Sequence, residues 1–307
     1  GYDNFAEYNL KERMAQNSDA VYKLLNQLLE AYTPAAQKEY AEVQALARSE
    51  EGENFNLMPW DWSYYSQKLK DRKFNINDEM LRPYFELSKV KEGVFGLASR
   101  LYGITFKKNP DIPVYHKDVE AYEVFDKDGT YLAVLYTDFH PRAGKRSGAW
   151  MTSYKGQWID EKSGENSRPH VSIVMNFTKP TQNKPALLTF DEVETFLHEF
   201  GHSLHGMLGE GKYESQTGTS VYRDFVELPS QIMENWATEF LDLWAVHYQT
   251  GEPIPAEVVD RIVAAQNYLA AYSNVRQLSF GLTDMAWHTI TEPFEGDVEQ
   301  FEVASMA

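Results

Sequence analysis

Leu188-Thr189-Phe190-Asp191-Glu192-Val193-Glu194-Thr195-Phe196-Leu197-His198-Glu199-Phe200-Gly201-His202 is the stretch around which the rest of this sequence is organised. Thr189 and Glu192 stand three residues apart and form a capping box, in which each side chain takes the other's free backbone N–H. Leu188 and Val193 close a hydrophobic staple across that start. Asp191, Glu192 and Glu194 put negative charge near the positive end of the helix dipole. At about 100° per residue, Val193, Phe196, Leu197, Phe200, Leu204 and Met207 fall on one side and demand a core. Asp191, Thr195, His198, His202 and His205 fall on the other. The reading predicts a well-capped amphipathic helix with a histidine face turned away from the apolar one.

His198 and His202 lie one turn apart, so their imidazoles can converge on one ion. Glu199 sits about 100° round from His198, beside that point. His-Glu-x-x-His on a helix is the pattern in which two histidines bind zinc and the glutamate activates a water. The motif is short enough to occur by chance on a solvated face, so a third ligand is needed. Glu227 supplies it, in Arg223-Asp224-Phe225-Val226-Glu227-Leu228-Pro229-Ser230-Gln231. Glu227, Gln231, Glu234 and Thr238 share one face of a second helix, with Phe225, Ile232, Met233, Trp236 and Phe240 on the other. Pro229 either kinks that helix or marks its start. His205 competes with Glu227, but three ligands from one helix over nearly two turns give poor tetrahedral geometry. His205 and Glu234 are expected beside the ligands rather than on the ion.

Beyond these two helices the chain changes texture. The first hundred or so residues read as helical, with Val21, Leu24, Leu25, Leu28, Leu29 and Tyr32 at helical spacing. Thr33-Pro34 reads as an N-cap with proline at the first helical position. Glu50 to Asn56 reads as a polar loop, and Trp60, Trp62, Tyr64 and Tyr65 as core packing. Between about 112 and 178, Ile112 to His116, Ala121 to Phe125, Tyr131 to Tyr136, Ala149 to Tyr154 and Val171 to Phe177 read as strands. Asp128-Gly129 is a hairpin signal between two of them. Lys179 to Pro185 is a proline-punctuated linker. The expected fold is α+β with helix dominant: 1–110 helical, 111–178 a small, mostly antiparallel sheet, and 186–307 the metal-binding helices.

Composition narrows the chemistry. The 307 residues carry 29 Lys and Arg against 46 Asp and Glu, a net charge of −17, and that field repels nucleic acid. There is no cysteine, so disulfides and thiolate metal sites are excluded and any metal must use His, Asp or Glu. No apolar run reaches the length of a membrane span.

Leu197-His-Glu-Phe-Gly-His202 and Val226-Glu-Leu-Pro-Ser-Gln231, with 25 positions from His202 to Glu227, resemble the thimet oligopeptidase family. Neurolysin, oligopeptidase A and bacterial peptidyl-dipeptidase are its other members. The resemblance extends to Pro59-Trp-Asp-Trp62, Leu81-Arg-Pro-Tyr-Phe85, Pro113-Val-Tyr-His116, Gly148-Ala-Trp-Met151 and Glu234-Asn-Trp236. Ser215 to Glu227 is most similar to peptidyl-dipeptidase, whereas Glu234 to Trp236 and Tyr272 to Gly281 are also similar to oligopeptidase A. The family implies a zincin-like, neurolysin-like fold and one Zn2+ per chain, held by His198, His202 and Glu227, with Glu199 as base. It implies short peptides as substrates, and a strand near the zinc that pairs with them; Gly148, Ala149 and Trp150 match that segment, with a place in the sheet core as the alternative for Trp150. It also favours the cytoplasm. Family members are about twice as long and carry a Gly- and Tyr-rich loop beyond the third ligand, so the chain reads as an internal fragment. Release of C-terminal dipeptides is the expected activity, with internal cleavage, or a zinc-bearing peptide-binding module without turnover, as rivals.

Overall fold

The computed structural model describes residues 1–239 and 241–306; Phe240, expected on the apolar face of the second helix, lies outside them. In chain order the elements are α1 (Phe5–Leu10), α2 (Ser18–Glu51), α3 (Trp62–Phe74), α4 (Asp78–Leu81), α5 (Leu87–Tyr102), β1 (Thr105–Lys108), β2 (Glu120–Phe125), β3 (Tyr131–Asp138), β4 (Trp150–Lys155), β5 (Trp158–Ile159), β6 (Asn166–Ser167), β7 (His170–Val174) and α6 (Phe190–Met207). They continue with α7 (Leu228–Glu234), α8 (Trp236–Glu239), α9 (Leu241–Trp244), α10 (Ala256–Ala265), α11 (Ala270–His288) and α12 (Val298–Ser305). The chain is α+β and mainly helical. It divides into two compact units, Gly1–Asn75 with Ala264–Ala307, and Ile76–Val263. No helix among the described residues is long and apolar enough to cross a membrane.

The first unit is built on α2 and α11. Helix α2 does not start at Thr33-Pro34: it runs through Pro34 for 34 residues. Proline leaves one carbonyl of the preceding turn without an N–H. The carbonyl that loses its partner is that of Glu30; the Thr33 hydroxyl donates to the neighbouring Leu29 carbonyl at 2.6 Å. Val43, Leu46, Ala47, Leu57, Tyr65 and Leu269 form the core of this unit. The aromatic run divides: Tyr65 is buried and Trp62 stacks on Tyr272, with ring centroids 3.7 Å apart, while Trp60 and Tyr64 are exposed. Trp60 lies in the turn before α3, and within α3 Trp62 and Tyr65, three residues apart, share a face that Tyr64 does not.

The second unit holds a five-stranded sheet in the order β1-β2-β3-β7-β4. It is antiparallel except where β3 runs parallel to β7. Asp128-Gly129 turns β2 into β3, Gly129 taking φ +85° and Asp128 accepting the Thr130 amide. Ile112 to His116 is not a strand but a loop, from which Ile112 packs on Val119, Ala121, Val134 and Tyr136. Strand β1 supplies the missing edge and falls within the region expected to be helical. Helix α6 lies on the opposite face of the sheet. Its residues Phe196 and Phe200 meet Phe139 beyond β3, Phe95 of α5 and Phe106 of β1.

One ion cluster is sealed in at the end of β3. Asp138 is 1% exposed; its carboxylate accepts from Arg142 at 2.7 and 2.9 Å, from Lys145 at 3.0 Å and from the Tyr115 hydroxyl at 3.0 Å. Lys145 is 2% exposed and also donates to the carbonyls of Asp138 and His140. These bonds tie down the loop that leads into β4. Burial raises the Asp138 pKa, but the bonds from Arg142 and Lys145 outweigh it and hold the carboxyl below its ordinary value. A carboxyl depressed in the folded state adds stability above the unfolded value of about 3.9, and that stability is lost as pH falls through the folded value. Asp138→Asn is expected to cost about 3–5 kcal/mol, because it leaves the buried Lys145 ammonium without its counter-charge. Urea unfolding should show the deficit at pH 7 and a smaller one at pH 3.

Candidate metal centre

Helix α6 starts as its sequence directs. Thr189 accepts the Glu192 amide at 3.1 Å and Glu192 accepts the Thr189 amide at 2.8 Å. Leu188 and Val193 are both fully buried, as are Phe196, Leu197, Phe200 and Met207. His198, His202 and His205 lie on the partly open side. The rings of His198 and His202 stand 4.9 Å apart and nearly perpendicular.

The second segment starts later and ends sooner than a single long helix. Glu227 is the N-cap of α7, Pro229 occupies its first turn, and a turn at Asn235 separates α7 from α8. The expected apolar face is only partly buried. Met233 and Ala237 are inside, whereas Phe225 and Ile232 are 42% and 48% exposed. Phe225 precedes the helix in a turn, so helical periodicity does not orient it.

What joins the two segments is Gly201. A Cβ there would lie 2.6 Å from the Pro229 carbonyl oxygen and 2.6 Å from the Ser230 Cα. The backbones of α6 and α7 therefore touch at a point where no other residue fits. That approach brings the Glu227 Oε2 atom to 3.0 Å from His202 Nε2 and 3.3 Å from His198 Nε2. Among the described residues, His198, His202 and Glu227 are the set whose ligand atoms converge within 4.8 Å. His205 is outside it; its ring lies 6.3 Å from that of Phe225. Gly201→Ala is expected to lower the melting temperature. Overpacking against backbone costs about 1–3 kcal/mol, more than the ~1 kcal/mol gained in helix propensity. Thermal unfolding of the variant beside the parent checks the sign.

Hydrogen bonds orient His198 and Glu227 for a cation, whereas His202 Nδ1 is buried without a partner. His198 Nδ1 meets Glu234 Oε1 at 2.6 Å, which leaves Nε2 as the free lone pair. Burial holds the His202 pKa down, so its ring is neutral and able to ligate. Glu227 is pushed up by burial but held lower overall by the Ser230 hydroxyl and the two histidines. Ser230 donates to Glu227 Oε2 at 2.8 Å. Ser230 stands three residues into the helix that Glu227 caps, a spacing that could have signalled this contact from sequence. Glu199 is 6% exposed, and its Oε2 is buried with no hydrogen-bond partner. Its pKa is raised, by burial first; the His198 charge and a backbone hydrogen bond from Met151 of β4 act the other way. A buried, unpartnered carboxylate oxygen beside two imidazoles and the Glu227 carboxylate fits a transition metal with an open coordination position.

Strand β4 borders the site. It pairs with β7 on one side only, so its other edge has no sheet partner among the described residues. Gly148 precedes it at φ +89°, and the Asn176 side chain donates to the carbonyls of Arg146 and Gly148 at 2.9 and 2.7 Å. Trp150 pairs with Val174 and is partly exposed, with the Arg146 guanidinium 4.9 Å over its ring. It is therefore not part of the sheet core.

The family model described as Peptidase family M3 matches residues 1–304. Oligopeptidase A of Escherichia coli (strain K12) is 42% identical over 299 residues, covering 96% of this chain and 44% of that protein. Dipeptidyl carboxypeptidase of the same organism is 38% identical over 310 residues, covering 100% and 45%. Saccharolysin of Saccharomyces cerevisiae is 34% identical over 306 residues, covering 94% and 43%. The chain spans less than half the length of these relatives.

Proposed function

The chain belongs to peptidase family M3, and from that premise we propose that it carries the zinc centre of a peptidase that hydrolyses short peptides. The observation that carries the reading is the convergence of His198, His202 and Glu227 beside the unpartnered Oε2 of Glu199. The all-nitrogen-and-oxygen donor set, with two histidines on one helical turn, suits zinc.

In this reading His198 and His202 hold the ion through Nε2 and Glu227 holds it through a carboxylate oxygen. Zinc, when bound, supplies Lewis acidity, which acidifies a water and polarises a peptide carbonyl. Glu199 is the general base: its free oxygen takes the attacking water's proton and later gives it to the leaving amine. Glu234 fixes the His198 tautomer, and Ser230 fixes the Glu227 carboxylate. The open edge of β4 receives the peptide backbone as an added strand, with Gly148, Ala149 and Trp150 at its entry. The field of −17 favours basic over acidic peptides.

The finer form of the proposal is release of C-terminal dipeptides, which the segment Ser215 to Glu227 supports. Internal cleavage is the second reading, and the 42% identity to oligopeptidase A favours it. Product masses from peptides with free and with amidated C-termini separate the two in the full-length protein. Dipeptides from free ends alone support the first, and cleavage of both sets at internal bonds supports the second. No zinc-dependent cleavage of either set would overturn the proposal.

A further inference from the structure

A cavity separate from the metal ligands opens where the far end of β4 meets the loop after α6. Its volume is about 140 Å3, close to that of an engineered cavity of about 150 Å3 that accepts benzene. Ser153, Lys155, Glu214, Thr217, Thr219 and Ser220 give it a mostly polar lining. Resting on the peptidase reading above, we propose that this cavity is a substrate subsite that takes one short polar side chain of the peptide and rejects the largest aromatic ones.

Position along the strand is the first argument. Met151 of β4 hydrogen-bonds Glu199, so the reacting bond is placed beside Met151. Ser153 and Lys155 follow two and four residues later, roughly 7 and 13 Å at ~3.3 Å per residue. A peptide laid on the free edge of β4 reaches the cavity two to four residues from the bond that is cut, whichever way it runs.

Rigidity is the second. Gln157, 1% exposed, accepts the Gly211 amide at 2.8 Å and donates to the Gly211 carbonyl and to Asn166. Thr217 donates its hydroxyl to the Gln157 carbonyl at 2.7 Å, and Glu214 accepts the Gly156 amide at 2.9 Å. Gly218, at φ +57°, sits so close to α6 that a Cβ would meet the Gly206 Cα at 3.1 Å. The cavity wall is thus bound to the helix that carries His198 and His202, one turn beyond His202. A subsite held in that way transmits its occupancy to the register of the peptide at the metal.

The test uses the full-length protein and quenched fluorescent peptides with free C-termini that extend four residues before the cleaved bond and, in two sets, two or four residues after it. Each position in turn carries Thr, Val or Trp. Trp is expected to lower kcat/KM by about tenfold or more at one position, two to four residues from the cut, and Val by less. Thr219→Trp, which fills the cavity, should lower kcat/KM for the Thr peptide by a similar factor. It should leave unchanged a shorter peptide that ends before the cavity, a pattern that general damage to the fold would not give. Ser220→Tyr serves in its place if Thr219→Trp does not fold. Cleavage with no such position, or equal loss on long and short peptides, would overturn the subsite and leave the peptidase reading standing. Failure to cleave any peptide would overturn both.

Discussion

Glu199→Gln is expected to lower kcat by about 10²- to 10⁴-fold and to leave the metal content unchanged. Gln keeps the shape and volume of Glu but cannot accept the proton of the attacking water. The site gives that proton few other places to go. Of the three carboxylates at the site, Glu199 has a buried oxygen, Oε2, without a hydrogen-bond partner, whereas Glu227 is engaged by Ser230 and both histidines, and Glu234 by His198. The amide of Gln will also leave the Met151 contact available, since its carbonyl oxygen accepts as the carboxylate does. The fold and the metal therefore persist while the proton transfer is lost. Steady-state kinetics of the full-length variant, with metal analysis of the same sample, checks both halves. A variant with near-parent kcat would remove Glu199 from the chemistry.

The second large effect is on the metal. Glu227→Ala is expected to weaken zinc binding by more than 100-fold, beyond the ~10- to 100-fold typical of losing a group that only orients a ligand. The reason is geometric. Glu227 is the carboxylate brought to 3.0 and 3.3 Å from the two Nε2 atoms, and His205 does not join that set. The fold should survive, because the side chain is about half exposed and α7 keeps Met233 in the core. Zinc titration of the variant, with circular dichroism as the check on folding, measures this. His205→Ala is the control and should bind zinc as the parent does; the reverse pattern would move the third ligand to His205.

Much of the metal helix was legible in the residues, because its signals are local. The capping box needs residues three apart, and the separation of the histidine face from the Phe196–Phe200 face needs only a helical period. The strands on either side of Asp128-Gly129 were legible for the same reason: a hairpin and its alternation lie within a few residues. Misreadings occurred where a local signal met a longer-range demand. Thr33-Pro34 looks like a helix start, yet packing of α2 against α11 carries the helix through it. Ile112 to His116 has strand composition, but the sheet has another partner, β1, and the segment covers its outer face instead.

The sequence by itself determined that His198, Glu199 and His202 share one helix, and that a carboxylate 25 residues on was available to them. Only the tertiary structure decided that Glu227 reaches them, because that depends on the contact of Gly201 with the Pro229 and Ser230 backbone. The same holds for the parallel pairing of β3 with β7, which leaves β4 as an open edge beside Glu199. It holds again for the union of residues 1–75 with residues 264–307 in one unit. Helical period and capping act between neighbours in the chain and can be read from it. Close approach and edge exposure depend on which distant surfaces pack together, and no local pattern encodes that choice.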